Sequence, residues 1–320
     1  MDPVRADLLI VIPVLNERDS LGALVAELRQ QFGPELRWRV CIVDDGSSDG
    51  TWEEVQEFHR EDPRIAGLRL SRNFGKDAAI LAGLNSCEAE WYLVMDGDGQ
   101  HPAPVARLLY DCARAEGWDV VNGLKRSRAS DGRSQRFSAW LFNHCFHWLS
   151  GIDLTNSCDF KVLSRRTVQS LLACHDQDFF FRAMVRWVGY RQRDFPFDVE
   201  RRLGGTGSWT LLRLVRYAGS VLIQHSSLPL TFIFAIGLLS LAGSALLLAK
   251  LIYQYLFTEV PAGYATVVAL LLVSLSVNVV VVGTLGLYIR KIFVQTNGRP
   301  RFIVECATGR SEPAAVRDSR

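Results

Sequence analysis

An Asp96-Gly97-Asp98 triplet follows directly on the apolar run Trp91-Tyr-Leu-Val-Met95. Two carboxylates spaced two apart at a strand end, with glycine between them, can face one hard cation, and such a cation neutralises a departing diphosphate. A lone Asp-x-Asp is more often a cap or a turn. Here it is followed by Gly99-Gln100-His101-Pro102, and three further apolar runs end in polar clusters of the same kind. Asn16-Glu17 follows Leu8–Val14, Asp44-Asp45-Gly46-Ser47 follows Val40–Val43, and Ser71-Arg-Asn-Phe-Gly-Lys76 follows Ala66–Leu70. Asp44 and Asp45 fit turn residues ahead of a helix starting near Thr51, with Ser47, Ser48 or Asp49 as its N-cap. Capping does not require two carboxylates, whereas the N–H edge of uracil or guanine, or a ribose hydroxyl, would use both as acceptors.

The elements that must position these groups are short apolar strands separated by stretches of helical spacing, as at Leu21, Leu24, Val25 and Leu28. This is the pattern of an α/β fold built on a doubly wound, mainly parallel sheet, in which ligands bind beyond the carboxyl ends of the strands. No G-x-G-x-x-G follows the first strand and no G-x-x-x-x-G-K-[ST] occurs, which argues against a dinucleotide dehydrogenase or a P-loop NTPase. The 320 residues allow roughly two structural units. A net charge of +2 supplies no field for holding nucleic acid. Seven scattered cysteines without C-x-x-C support neither a disulfide framework nor a zinc ribbon and fit a reducing cytosol. Strand-like sequence begins within eight residues of the start, so export of this part is not expected.

A mean hydropathy of +0.09 hides two unlike parts. Of 36 basic and 34 acidic residues, only Lys250 and Glu259 fall between 217 and 289. The uncharged stretches Tyr217–Ala249 and Val260–Ile289 each exceed the roughly 20 residues that cross a hydrocarbon core. The expected organisation is a water-soluble domain over 1–208, an amphipathic juxtamembrane segment over 209–227, spans at 228–250 and 262–289, and a tail over 290–320, disordered from 306 onward. Arg213 and Arg216 precede the hairpin while Arg290, Lys291, Arg299 and Arg301 follow it, which by the positive-inside tendency places both ends in the cytoplasm. The 209–217 segment, with two arginines among leucines, suits either a helix in the headgroup layer or an extension of the first span.

Taken together, Ile12-Pro-Val-Leu-Asn-Glu17, Val43-Asp-Asp-Gly-Ser-Ser-Asp-Gly-Thr51, Ser71-Arg-Asn-Phe-Gly-Lys76, Asp96-Gly-Asp-Gly-Gln-His-Pro102 and Asp159-Phe-Lys-Val-Leu-Ser-Arg165 resemble the family-2, GT-A fold glycosyltransferases. More narrowly they resemble bacterial polyprenyl-phosphate glycosyltransferases related to dolichol-phosphate mannose synthase, from about residue 8 to 304. The resemblance implies inverting transfer of a sugar from a nucleotide sugar to undecaprenyl phosphate or a similar polyprenol phosphate. The setting would be the cytoplasmic leaflet of the bacterial inner membrane, with Mg²⁺ or Mn²⁺. It places Pro13, Glu17 and Asp44, with Asp45 beside it, at the donor nucleoside and Lys76 near the donor. Asp96, Asp98 and Gln100 lie at the metal. Asp98, Asp159 and Arg202 form the catalytic set, Arg202 reaching a phosphate. Relatives commonly read Gly-x-Ser-Lys-aromatic where this chain has Gly207-Ser208-Trp209, so Ser208 stands in place of a lysine. A homo-oligomer is also implied.

The chemistry agrees with the residues. A phosphate monoester has a second pKa of about 6 and is already largely a dianion in the cytosol, so no strong base is needed. Two phosphorylated substrates do need positive charge between them. Lys125–Arg136 supplies five cations against one acid, and Arg126, Arg133 and Arg136 suit the acceptor phosphate. Asp159 is then better read as orienting a phosphate-binding arginine or a sugar hydroxyl. Two other readings remain: a family-2 transferase acting on a lipid hydroxyl such as diacylglycerol, where Asp159 would be a true base, and a non-catalytic nucleotide-sugar-binding scaffold. UDP-glucose, UDP-N-acetylglucosamine, a UDP-amino-arabinose and GDP-mannose all suit the motifs. His144 and His147, lacking a third ligand, read as packing residues. Arg186-Trp187 matches only part of the Q-x-x-R-W signature of processive synthases. Asn278 reads as a polar contact between helices.

Overall fold

Strands form where the apolar runs lie, and helices where the apolar period lengthens from two to about 3.6. The computed structural model describes residues 6–125, 157–174, 179–197 and 263–308, with isolated positions between 239 and 257. The order is β1 (Ala6–Val14), α1 (Arg18–Gln31), β2 (Trp38–Asp44), α2 (Thr51–Glu61), β3 (Ile65–Leu70), α3 (Lys76–Leu84), β4 (Ala89–Val94), α4 (Ala103–Glu116), β5 (Val120–Lys125), β6 (Ser157–Ser164), α5 (Arg165–Ala173), α6 (Phe181–Trp187), β7 (Gln192–Phe197), α7 (Tyr264–Thr296) and β8 (Val304–Ala307). The chain divides into two compact units. One holds Met1–His147, Ile152–Ser208 and Arg299–Arg320, the other Trp148–Gly151 and Trp209–Gly298.

In the first unit the strands form one eight-stranded sheet in the order β7-β5-β6-β4-β1-β2-β3-β8. β1 pairs in parallel with β2 and β4, and β2 with β3, so the carboxyl ends of all four central strands share one edge. The sheet is nevertheless mixed. β6 runs antiparallel to both β4 and β5, and β8 antiparallel to β3. Reversal of β6 has a functional consequence, because its beginning rather than its end meets the site edge. β8 corrects the expectation of a tail disordered from 306: Cys306 and Ala307 pair with Arg69 and Leu68.

β1 is buried on both faces, which explains its unbroken apolar run. Leu8, Ile10 and Ile12 pack with Leu21, Leu24, Val25 and Leu28 of α1 and with Leu109 and Tyr110 of α4. Leu9 and Val11 pack on the other side with Ile80 and Leu81 of α3 and Phe181 and Val185 of α6. Each such Leu or Ile contributes about 1.5–3 kcal/mol by leaving water, enough to fix strand ends that carry buried charge.

In the second unit, no helix among the described residues is long and apolar enough to cross a membrane. The backbone over the second expected span is nonetheless one continuous 33-residue helix, α7. Val267, Leu271, Leu275, Val282, Leu285 and Ile289 of that helix are all exposed. Asn278 donates its amide to the Ser274 carbonyl at 2.8 Å, one turn back on the same helix.

Candidate active site

The strand ends are stitched to one another by side chain to backbone hydrogen bonds. Asn16, held at φ 55°, donates its N–H to Ser47 Oγ at 2.9 Å and accepts the Ser48 N–H on its own Oδ1 at 2.9 Å. Ser20 of α1 donates its hydroxyl to the Gly97 carbonyl at 2.8 Å and to Glu17 Oε2 at 3.2 Å, tying the end of β1 to the Asp-Gly-Asp turn. Gly46 sits at φ +78°, and a Cβ there would stand 2.9 Å from the Arg72 backbone. The turn after β2 and the loop after β3 approach too closely for any other residue.

Asp45 is committed to that approach. Its two carboxylate oxygens accept the N–H groups of Phe74 and Gly75 at 2.8 and 2.9 Å, so it shapes the loop that leads to Lys76. Both oxygens are thus engaged by the loop backbone. Replacing it with alanine strands two N–H donors, at about 1–3 kcal/mol each. The expected result for Asp45→Ala is a melting temperature lower by several degrees, with Asp45→Asn, which keeps one acceptor oxygen, in between. Melting curves superimposable on that of the wild type would show that the loop holds itself.

Asp44 differs from its neighbour. It is fully buried, and its Oδ1 accepts the Ser47 N–H at 2.9 Å. Its Oδ2 has no hydrogen bond and lies 3.5 Å from Arg69 Nε, which is also 3.6 Å from Glu305 Oε2 on β8. Pro13 lies buried in β1 opposite Val43, and Glu17 is half-buried at the start of α1.

The centre of the site is a charge cluster. Lys76, the first residue of α3, places its ammonium 2.5 Å from Asp96 Oδ1 and 2.6 Å from Asp159 Oδ2. Arg182 of α6 grips the same Asp159 in a bidentate pair, Nε to Oδ1 at 2.7 Å and Nη2 to Oδ2 at 2.8 Å. The antiparallel register explains the meeting. Val94 pairs with Lys161, so two residues further on Asp96 continues opposite Asp159. Burial opposes ionisation of Asp159, but Arg182 and Lys76 overcome it and hold the carboxyl far below the usual range. Asp96 is lowered in the same way, Lys76 outweighing burial. Both cations are raised in turn, Asp159 prevailing over desolvation at each. A carboxylate with so little affinity for protons anchors cations well and serves poorly as a general base.

Asp98 is buried, and its Oδ1 accepts the Gln100 N–H at 3.1 Å. His101, 1% exposed, is stacked on Phe160 with ring centroids 4.5 Å apart. Its Nδ1 accepts the Asp96 N–H at 2.9 Å, which in the neutral ring leaves the proton on Nε2, 4.0 Å from Asp96 Oδ2. Among the described residues no three potential metal ligands gather. Asp96 and Asp98 are two hard oxygen donors on one turn, a set that fits magnesium-type binding completed by substrate phosphates rather than a full protein cage. Asp96 Oδ1 is buried and 2.5 Å from the Lys76 ammonium, so a metal ion on that oxygen would take the place of Lys76.

The expected residues therefore divide. Asp96, Asp159 and Lys76 converge, with Asp98 and Gln100 on the adjoining turn and Pro13, Glu17 and Asp44 on neighbouring strand ends. Arg126, Arg133, Arg136 and Arg202, like Ser208, His144 and His147, lie outside the described residues. Arg186 pairs with Asp194 at 3.5 Å, a contact within the fold that accounts for the partial Arg-Trp match. Sequence reasoning did not single out Arg182 or Arg69. Neither stands in a recognisable motif, and each is identified only by the carboxylate that it meets.

Residues 9–172 match the sequence family described as Glycosyl transferase family 2. An uncharacterised glycosyltransferase of Synechocystis is 32% identical over 304 residues, covering 93% of this chain and 94% of its own. A prophage-derived bactoprenol glucosyl transferase of Shigella flexneri is 27% identical over 92% of this chain and 96% of its own. An undecaprenyl-phosphate 4-deoxy-4-formamido-L-arabinose transferase of Proteus mirabilis is 26% identical over 95% and 94% respectively.

Proposed function

The chain belongs to glycosyl transferase family 2, and on that premise we propose that it transfers a sugar, with inversion, from a nucleotide sugar to the phosphate of a membrane polyprenol. The observation that carries this reading is Asp159 held between Lys76 and Arg182 opposite Asp96. A phosphate oxygen of the acceptor attacks the anomeric carbon while the bond from that carbon to the donor diphosphate breaks. The bonding pair leaves with the nucleoside diphosphate. No proton has to be removed from a dianionic phosphate, so the depressed proton affinity of Asp159 supports a phosphate acceptor over a lipid hydroxyl, which would need a base there.

Asp44 receives the nucleoside, and Asp45 and Gly46 set the loop that carries Lys76. Lys76 and Arg182 offer positive charge where two anionic substrates meet. Asp96 and Asp98 would hold a magnesium or manganese ion, which supplies charge neutralisation to the departing diphosphate. Arg126, Arg133, Arg136 and Arg202 are proposed for phosphate oxygens.

The proposed setting is the cytoplasmic face of a bacterial inner membrane, with 228–250 and 262–289 spanning it and both termini cytoplasmic. α7, about 50 Å long at 1.5 Å per residue, is uncharged up to Ile289 and exposes apolar side chains along its length, a surface suited to lipid rather than water. A homo-oligomer in that membrane is part of the proposal.

The test incubates purified protein with undecaprenyl phosphate, Mg²⁺ and each of UDP-glucose, UDP-N-acetylglucosamine, a UDP-amino-arabinose and GDP-mannose, and weighs the lipid product. A polyprenyl monophosphate sugar is expected with one donor. Sugar found only on added diacylglycerol, or nucleotide-sugar binding with no transfer to any lipid, would replace this reading by a hydroxyl-directed transferase or a scaffold.

A further inference from the structure

We infer that Asp77 is a positioning residue of the transfer site, a carboxylate that ties the start of α6 to the start of α3 and so fixes the spacing of the two cations that hold Asp159. Its Oδ1 accepts the N–H of Phe181, the first residue of α6, at 3.0 Å. Lys76 precedes Asp77 in the chain and Arg182 follows Phe181, so each cation stands one residue from an end of this hydrogen bond. Both close on Asp159, from either side. Phe181 is fully buried, and its N–H belongs to the first-turn donors that a helix cannot satisfy internally. The inference deepens the transferase reading and rests on it.

Asp77 also lines a pocket of about 160 Å³ with Phe74, Gly75, Phe179 and Arg301. The charged groups around it are thus Lys76 on its own helix, Asp159 on β6, Arg182 on α6 and Arg301 ahead of β8. Burial pushes its carboxyl up to about 6. The Phe181 N–H opposes that rise, Asp159 adds to it, and Arg182 and Lys76 oppose it. The sign is the reverse of the usual acid. With its folded value above the ordinary carboxylate value, ionised Asp77 weakens the fold at neutral pH, and the penalty fades as pH falls through about 6. A half-buried carboxylate one residue from Lys76, ionised at neutral pH against that penalty, fits a role in the site. Protonation removes the negative charge that the two cations face while leaving an oxygen to accept the Phe181 N–H, so Asp77→Asn reproduces the protonated form at every pH.

The experiment compares the wild type, Asp77→Asn and Asp77→Ala in full-length protein, with undecaprenyl phosphate and the accepted donor saturating. The ratio of Asp77→Asn to wild-type kcat is read across about pH 5 to 8, so that titration of the acceptor phosphate cancels. That ratio is expected to rise towards one as pH falls through about 6, because the wild type then loses the charge that the asparagine lacks at every pH. Asp77→Ala is expected to lower kcat by about 10²-fold with little change in either KM, as for a displacement of about 1 Å. Its amide exchange over residues 179–187 should rise, while that of Asp77→Asn stays near wild type. A merely structural residue would lower melting temperatures and leave the ratio flat. A flat ratio overturns the inference, as does unchanged exchange over 179–187 in Asp77→Ala. Should the wild type transfer to no polyprenyl phosphate, the proposed function fails, and the exchange measurement alone decides whether Asp77 makes the tie.

Discussion

Asp159→Asn is expected to lower transfer by about 10²–10³-fold, the loss typical of removing a preorganised charged contact, in protein that remains folded but less stable. The asparagine is nearly isosteric, so shape is kept and charge is lost. Lys76 and Arg182 would then share Asp96 alone, and an amide NH₂ would face one of the guanidinium nitrogens that now donate to Asp159. Leaving a buried charge unpaired costs about 3–5 kcal/mol. Here the lower end applies, because the side chains of Lys76 and Arg182 are 41% and 35% exposed and water screens them. The pH sign follows from the depressed carboxyl. Asp159 contributes its stability fully above the ordinary carboxylate range and loses it only in strong acid, so the variant should be less stable than wild type throughout neutral pH. Steady-state kinetics and chemical denaturation decide the matter. Wild-type turnover with both substrate affinities unchanged would remove Asp159 from the mechanism, and a bell-shaped profile in the wild type that Asp159→Asn abolishes on its acid side would restore it as a base.

The parts of this site that were legible in the sequence are those encoded locally. Apolar runs announced β1, β2, β3 and β4, and the polar residues directly after them had to lie on one edge because parallel strands end together. Asp96 and Asp98 were legible for that reason. Asp44 and Asp45 were legible only as a pair. Asp44 turns inward to the Ser47 N–H and Asp45 to the loop after β3, a distinction that depends on where Arg72, Asn73 and Phe74 pass over Gly46. Nothing local shows that β6 runs backwards, although the reversal alone brings Asp159 opposite Asp96. Arg182 was illegible because its partner lies 23 residues away on another element, and the rotation of a seven-residue helix decides which of its two arginines meets Asp159 and which meets Asp194. Cys306 reads as part of a tail because 306–320 is rich in Arg, Ser, Pro and Ala without an apolar period. The free edge of β3 gives Cys306 and Ala307 partners.

Asp98→Ala is expected to abolish metal-stimulated transfer while nucleotide binding persists in part. Several kcal/mol of charge neutralisation at the leaving diphosphate, at about 1.4 kcal/mol per tenfold, corresponds to a fall in kcat of about 10²–10³-fold. The turn itself should survive. Asp98 Oδ1 accepts the Gln100 N–H, whereas the neighbouring Asp96 backbone is held independently by His101 and the Gly97 carbonyl by Ser20. Asp98→Asn keeps an acceptor for the Gln100 N–H and so separates turn geometry from charge. If geometry were the main contribution, the asparagine would recover most of the rate. If charge at a cation is the main contribution, Asn and Ala fall together, and raising Mg²⁺ or Mn²⁺ shifts the apparent metal affinity of both without restoring kcat. The binding of Mn²⁺ in the presence of UDP, followed by its paramagnetic signal, supplies a readout that does not depend on turnover. Wild-type protein should hold the ion only with the nucleotide present, because one or two carboxylates make an incomplete shell that phosphate oxygens finish. Manganese bound equally well by Asp98→Ala would place the cation elsewhere, and with it the electrostatic half of the proposed transfer.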